Sequence, residues 1–377
     1  MNQNQAYMIS LLKSAITNTE ALVMTEGIDW AAFAEYAETQ QFEHIIYPLL
    51  KDKDISGIDP QVWHHLHQRY GRAVYRDSIQ DMELEEICTI FTENQIAHIP
   101  MKGSVVKRYY PLPDIRRSTD FDILVHNEDR YKATTILKEL GYIHKLKNQT
   151  MHDTFFREKT YLELHVMLVS PETKAYQFFK NVWDYVLPDN GYTYKMQPEF
   201  LYTHLLAHLH RHLMAGGGGI KLISDFRILN HSVQLDHERL IEFAEKAGMI
   251  HLYECVNELA AKWFDDVPCQ NPYTLMIEKL LLSGGAYGDY ETSMKMRFSK
   301  KNGNGNIFQR LFCFAFPSAK YLTIRYPVLE KHPQLLPIMW AKRLLDFKGY
   351  NPKLIFGAAR KSEDEKMLAD FCEYVSE

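Results

Sequence analysis

The sequence predicts an α+β protein in which a small mixed β-sheet sits between two helical regions. Two observations carry this reading. Apolar residues recur at helical spacing from Tyr7 to about Glu93 and again beyond residue 170, whereas between Gln95 and Val169 the period falls to two. At 377 residues and 44.2 kDa the chain also exceeds the usual size of one domain, so cooperating modules are expected. The expected division is 1–94, an N-terminal helical region; 95–170, a mixed α/β core; and 171–377, a C-terminal helical region.

Each element has its own signal. "MISLLKSAI", "WAAFAEYAE", "VWHHLHQRYGRAVY" and "DMELEEICTIFTE" carry apolar stripes at helical spacing. "IAHIPM" reads as extended, "SVVKRYY" as a short helix after a turn at Gly103, and "DFDILV" as a strand of period two. "NEDRYKATTILKELGY" opens on Asn127 as a cap and stops at Gly141, which predicts a helix. "YIHKLK", "MHDTFFRE" and "TYLELHVML" follow as three strands, giving a sheet with helices on one side. Helical spacing resumes with "ETKAYQFFKNVWDYVL" and runs through "PEFLYTHLLAHLHRHLMA", "LISDFRILNHSV", "HERLIEFAEKAG" and "HLYECVNELAAKWF". Gly216 to Gly219 interrupt it as a loop or, less expected, a lid, and Lys300 to Asn306 read as a flexible loop.

Composition narrows the function classes. A net charge of -5 gives no general attraction to nucleic acid or to anionic membrane, although a local basic patch remains compatible with it. Cys88, Cys255, Cys269, Cys313 and Cys372 are scattered and show no CxxC spacing, so they read as reduced thiols. The N-terminus lacks a signal-peptide pattern, and no stretch approaches the roughly 18 apolar residues of a membrane span. The expected location is the cytoplasm.

The chemistry concentrates in one strand. Residues i and i+2 of a strand share a face, so Asp120 and Asp122 are displayed together while Phe121, Ile123 and Val125 enter a core. Two carboxylates so close repel unless a cation sits between them, and Mg2+, which accepts carboxylate and phosphate oxygens, suits the place. This reading puts both side chains on an exposed face. In "TYLELHVML" the alternation places Glu163 and His165 on one face and Leu162, Leu164 and Val166 on the other. If that strand lies beside the aspartates, Glu163 completes a three-carboxylate cluster able to hold metal or to deprotonate an attacking hydroxyl. Asp153 on the preceding strand is the next candidate. Gly103 and Ser104 open a short helix whose free N–H groups suit an anion. Lys102, Arg116 and Arg117 flank these residues and suit phosphate.

The run "KGSVVKRYYPLPDIRRSTDFDILV", the helix "YKATTILKELGY" and "YLELHVML" together resemble the DNA polymerase β-like nucleotidyltransferase superfamily. Within it they resemble an uncharacterised bacterial nucleotidyltransferase family with the pattern K-G, Y-P, R-x-x-x-D-x-D-x-L-V, a helix ending in G-Y, and E-L-H. The likeness is specific from Ile99 to Leu168 and looser through "HLLAHLHRHL", "LISDFRIL" and Phe316 to Arg343. It implies that Gly103 and Ser104 form the nucleotide-binding turn, with Lys102 and Arg116 beside it. Asp120, Asp122 and Glu163 are implied as catalytic metal ligands, with Glu163 as ligand, base or both.

The expected function is Mg2+-dependent transfer of a nucleoside monophosphate from an NTP, with ATP the expected donor, to a hydroxyl or amine. A small-molecule, peptide or protein acceptor is favoured over long RNA on the acidic pI. The alternative is a catalytically inactive nucleotide-binding or interaction protein that keeps the fold. His204, His208 and His212 recur four apart on one helix, but without an H-E-x-x-H glutamate they read as structural rather than as a metal site. By the same resemblance this helix, with Asp225 and Arg227, packs beside the sheet and lines an acceptor pocket.

Overall fold

The computed structural model describes residues 1–23, 27–55, 57–146, 151–302, 307–323, 326, 328–345, 355 and 365–376. Four helices open the chain: α1 (Gln3–Thr17), α2 (Trp30–Thr39), α3 (Glu43–Leu50) and α4 (Pro60–Glu93). Asn2 and Gln5 form a reciprocal cap on α1, and Asp29 and Asp59 cap α2 and α4. The two expected helices within 60–93 are one continuous helix of 34 residues.

Then come β1 (His98–Met101), α5 (Gly103–Val106), β2 (Asp120–Val125), α6 (Arg130–Glu139), β3 (Ile143–Leu146), β4 (His152–Arg157) and β5 (Thr160–His165). The expected cap at Asn127 is not made. Asn127 lies in a 3-10 turn, and Asp129 precedes α6 without a side-chain cap.

The sheet does not end at Val169. The stretch read as a long helix from Glu172 to Leu187 breaks into a one-turn helix, α7 (Tyr176–Phe179), a 3-10 turn (Val182–Tyr185) and the start of β6 (Val186–Asn190), which pairs with β7 (Thr193–Met196). Its apolar residues serve packing rather than helical periodicity, for Phe178, Phe179 and Tyr185 stack around Phe200 with ring centroids 5.4, 5.4 and 4.8 Å away. Asn190-Gly191 at the hairpin bend, with Gly191 at φ 59°, is the sequence signal for this turn. Pro188 is tolerated because β6 is an edge strand.

The seven strands form one mixed sheet in the order β3-β4-β5-β2-β1-β7-β6. β2 is antiparallel to β1 and parallel to β5, with Asp122 opposite Glu163 and Leu124 opposite His165. One face carries Phe121, Ile123, Val125, Phe155, Leu162 and Leu164 into a core closed by Leu84, Ile87 and Phe91 of α4 and by Ala133, Ile136 and Leu137 of α6. The other face carries Ile99, Met101 and Leu124 into a larger core shared with the helices that follow. Helices therefore cover both faces rather than one, because β1 and β2 present apolar side chains on each.

Beyond the sheet lie α8 (Pro198–Met214), α9 (Lys221–Ser232), α10 (His237–Lys246), α11 (Ile250–Phe264), α12 (Pro272–Ser283) and α13 (Tyr290–Asn302). Lys300–Asn302 thus belong to a helix, and the rest of the expected loop, 303–306, lies outside the described residues. Gly216–Gly219 are buried and tightly packed. A Cβ on Gly216 (φ 108°) would meet the Asp289 carbonyl at 2.5 Å, and one on Gly217 (φ 118°) the Leu280 carbonyl at 2.6 Å. The run is a backbone packing joint, not a lid. No described helix is long and apolar enough to cross a membrane.

Candidate functional site

The face of the sheet that carries Ile99 and Met101 also carries Asp120, Asp122, Glu163 and His165, because strand side chains alternate and β2 and β5 pair in register. Their partners make a compact charged network. Lys102, in the turn after β1, places its Nζ 2.5 Å from Asp122 Oδ1 and 3.7 Å from Glu163 Oε2. His165 Nε2 lies 2.8 Å from Asp122 Oδ1 and 3.1 Å from Glu163 Oε2. Both of those partners are carboxylates, so Nε2 is the nitrogen that carries the proton. His152 of β4 reaches Glu163 Oε1 at 3.5 Å.

Asp122 is not exposed. It is 3% accessible, covered by Lys102 and His165. Burial opposes its charge, yet the Lys102 ammonium and the His165 hydrogen bond outweigh that and hold the carboxyl well below the usual aspartate value. Burial also opposes the Glu163 charge, and the His165 hydrogen bond and Lys102 bring its carboxyl below the usual range. Asp120 goes the other way. Burial, reinforced by the charges of Asp122 and Glu163, raises its pKa. One carboxylate is thus left with its charge poorly compensated beside two that are compensated.

These acids border a cavity of about 270 Å3 that Lys102, Gly103, Arg116, Ser118, Thr119, Asp120, Asp122, Glu163, His208, Arg211, His212 and Lys221 help to line. Acidic and cationic side chains thus border one space, with Lys102 already in contact with Asp122. Gly103 is required for the close packing of the turn, since a Cβ there would lie 2.0 Å from Ser118 Oγ. Ser104 is buried and does not border this cavity, and α5 is a single turn. Lys102 has φ 53° and ψ -128°, a strained backbone for a residue with a side chain, and the strain sits beside the acids.

Arg116 borders the cavity, but its guanidinium forms a two-point ion pair with Asp225 at 2.6 and 2.8 Å, where Tyr110 adds a hydrogen bond of 2.8 Å. Its place is structural as well as proximal, fixing α9 against the loop before β2. Arg117 turns to Glu43 of α3, 3.1 Å away, and lines a separate cavity with Arg69, Arg72 and Arg76. Asp153 faces the opposite side of the sheet and is held by Arg130 at 2.8 Å and His144 at 3.3 Å, so it does not substitute for Glu163.

Sequence reasoning missed His152, Ser118, Arg211 and Lys221. His152 could have been found from the alternation of β4 once its pairing with β5 was known, because His152 lies opposite His165. Lys221 lies at the start of α9. Burial, with help from Arg116, lowers its ammonium pKa to about 8. From α9, Lys221 and Leu222 border the cavity, whereas Asp225 is taken by Arg116 and Arg227 by Asp265 at 2.7 Å.

His208 and His212 touch through Nε2 at 3.1 Å. Burial lowers His204 to about 3 and His212 to about 4 and holds His208 well below its usual value, so all three are neutral at pH 7. Among the described residues, the group of three or more His, Cys, Asp and Glu side chains close enough to share a metal is His152, Glu163 and His165, whose ligand atoms lie within 4.8 Å of one another. A larger cavity, about 450 Å3, adjoins the first and shares Lys102, His208 and Arg211 with it.

A family model described as an uncharacterised nucleotidyltransferase matches residues 26–265. That span takes in most of the N-terminal helices, the whole sheet and α8 to α11, and it stops before the looser likeness at Phe316 to Arg343. No curated protein and no solved structure matches the chain.

Proposed function

From the premise that the chain belongs to the uncharacterised nucleotidyltransferase family, we propose that it transfers a nucleoside monophosphate from an NTP to a hydroxyl or amine and releases pyrophosphate. The supporting observation is that Asp120, Asp122 and Glu163, in register on β2 and β5, border one small cavity together with Lys102, Arg211 and Lys221. In this reading the chain is a member of the DNA polymerase β-like superfamily and ATP is the donor.

The residues fit a divalent metal. Asp120, Asp122 and Glu163 border one cavity, and burial with the neighbouring acids raises the Asp120 pKa, a charge that a cation would compensate. Their hard oxygens suit Mg2+, while the His152–Glu163–His165 group would suit a borderline metal such as Zn2+. Asp120, Asp122 and Glu163 would hold the metal, which supplies charge neutralisation to the triphosphate.

The chain's own groups do the rest. Lys102, Arg211 and Lys221 bind phosphate oxygens, and the Gly103 turn lets the backbone approach them. His165 fixes the Asp122 and Glu163 carboxylates through one shared N–H. Glu163, 22% exposed at its side chain, accepts the acceptor proton. The acceptor oxygen or nitrogen bonds to the α-phosphorus, and the bond to the β-phosphate oxygen breaks with its electron pair leaving on pyrophosphate. Catalysis is then largely positioning and charge neutralisation.

One observation favours the inactive alternative: the Lys102 ammonium already occupies a cation position between Asp122 and Glu163. The test separates the two readings. Mg2+ and ATP together should raise the melting temperature by more than the sum of their separate shifts, and labelled ATP with a cell extract should release pyrophosphate. Synergistic binding without pyrophosphate release selects the inactive protein, and additive shifts count against a shared site.

A further inference from the structure

We propose that the acceptor is a small, largely apolar molecule that is neutral or anionic, held in the 450 Å3 cavity beside the acids. This rests on the nucleotidyltransferase reading above and names its second substrate.

The first argument is position. His165, which binds both Asp122 and Glu163, also lines this cavity, and Lys102, His208 and Arg211 line both cavities. A molecule seated here has its near end at Lys102 and His165, which contact the carboxylates. Lys102, His208 and Arg211 border both cavities, so an acceptor held here adjoins the space proposed for the donor.

The second argument is chemistry. The walls come from the stretch after β5 (Leu168, Val169, Ala175), from α8 (Ala207, Met214) and from the α10–α11 junction (Met249). The cavity surface is mainly apolar, with polar atoms from Lys102, Lys174, Arg211, four histidines, Ser170, Thr173 and Ser376, and its size is that of a small-molecule site. Among the described lining residues none is Asp or Glu, while Lys102, Lys174 and Arg211 are cationic. A polycation therefore finds no partner here. A sugar would set many of its hydroxyls against the apolar part of the wall, which outweighs the polar part.

The methionines add adaptability. Met151, Met214 and Met249 all line the space, and unbranched thioethers repack around a range of apolar shapes. His204 and His208, kept neutral at pH 7 by burial, add hydrogen-bonding capacity without charge.

The experiment uses the full chain and four probes, phenyllactate, 2-phenylethanol, glucose and kanamycin, followed by ligand-observed NMR with Mg2+ and ATP present. Phenyllactate and 2-phenylethanol should bind, and glucose and kanamycin should not. Ala207→Leu, which fills the wall, should weaken both binders at least tenfold while the Mg2+–ATP melting shift persists. Lys174→Glu, at the exposed rim, keeps the proposal testable should the first variant misfold, and it should weaken phenyllactate more than 2-phenylethanol. A Mg2+–ATP shift together with no apolar probe binding, or with glucose or kanamycin binding as tightly, overturns the acceptor class alone. Unchanged probe affinity in both variants also overturns it. Loss of the wild-type Mg2+–ATP shift overturns the transferase reading, and this inference with it.

Discussion

Asp120→Asn and Asp122→Asn are near-isosteric changes two residues apart on one strand face, and they should move stability in opposite directions. Asp122 is 5% exposed at its side chain and pairs with Lys102, itself 12% exposed. Removing one partner of a buried pair typically costs about 3–5 kcal/mol, because the other charge is left without compensation. Here Glu163 remains 3.7 Å from the ammonium against 2.5 Å for Asp122. At an effective dielectric of about 20 those distances correspond to attractions of roughly 4.5 and 6.6 kcal/mol, so Glu163 keeps about two fifths of the total. The expected loss for Asp122→Asn is therefore about 2–3 kcal/mol, or roughly 30- to 150-fold in the folded-to-unfolded ratio.

Asp120, with its pKa raised by burial and by its neighbours, contributes most stability while protonated and loses it as pH rises through the raised value. At pH 7 Asp120→Asn should accordingly be as stable as the wild type or more so. Asp122, with its pKa lowered, contributes fully above the ordinary aspartate value of 3.8, and that contribution disappears as pH falls. Urea titrations at pH 7 without divalent cations, followed by tryptophan fluorescence and repeated near pH 4, measure both variants. Equal midpoints at pH 7, or a destabilised Asp120→Asn beside an unaffected Asp122→Asn, would refute the network as described. Both variants should be inactive in transfer.

Gly103→Ala should weaken nucleotide binding and lower stability, since its Cβ would lie 2.0 Å from Ser118 Oγ, and Ser118→Ala in the same chain should recover part of the loss; no recovery would place the strain elsewhere. Glu163→Gln should keep NTP affinity and slow single-turnover transfer by on the order of 10²-fold if the carboxylate takes the acceptor proton. A raised Mg2+ requirement alongside the slower rate would instead mark it as a metal ligand. ATP affinity should fall as pH rises through about 8, where Lys221 loses its proton in the free protein, and Lys221→Arg should flatten that fall. A flat wild-type profile in isothermal titration would remove Lys221 from the phosphate site.

The strand that carries the aspartates was legible because a period of two sorts Asp120 and Asp122 from Phe121, Ile123 and Val125 without any tertiary knowledge. The same rule sorted Glu163 and His165 from Leu162 and Leu164, and the parallel pairing of β5 with β2 made those two faces one. Pairing itself was not legible. Asp153 and His152 are neighbours on β4, and only the register opposite β5 decides that His152 meets Glu163 while Asp153 turns to Arg130 and His144. The hairpin of β6 and β7 was hidden for a related reason: Phe178, Phe179, Val182 and Tyr185 mimic a helical stripe while packing around α8 from a broken backbone.

The burial of Asp122 was beyond the sequence for a different reason, and that reason bears on the site. A strand face with two acids reads as a wet face unless something far along the chain covers it, and here Lys102 and His165 do so at close range while α8 and α9 supply Arg211 and Lys221. Such an arrangement is unfavourable in itself. Three carboxylates share a poorly hydrated space, Asp120 is left with a raised pKa, and Lys102 holds a backbone conformation that costs on the order of 1–3 kcal/mol for a residue with a side chain. A fold whose Phe121–Ile123–Val125 face already anchors β2 has no structural need for these features on the other face. Under the proposed function they serve a cation and a polyanion bound in one cavity, the cation compensating the charge of Asp120 and the polyanion meeting Lys102, Arg211 and Lys221. Synergy between metal and nucleotide is therefore a consequence of the same electrostatics that makes Asp120 and Asp122 respond oppositely to loss of charge.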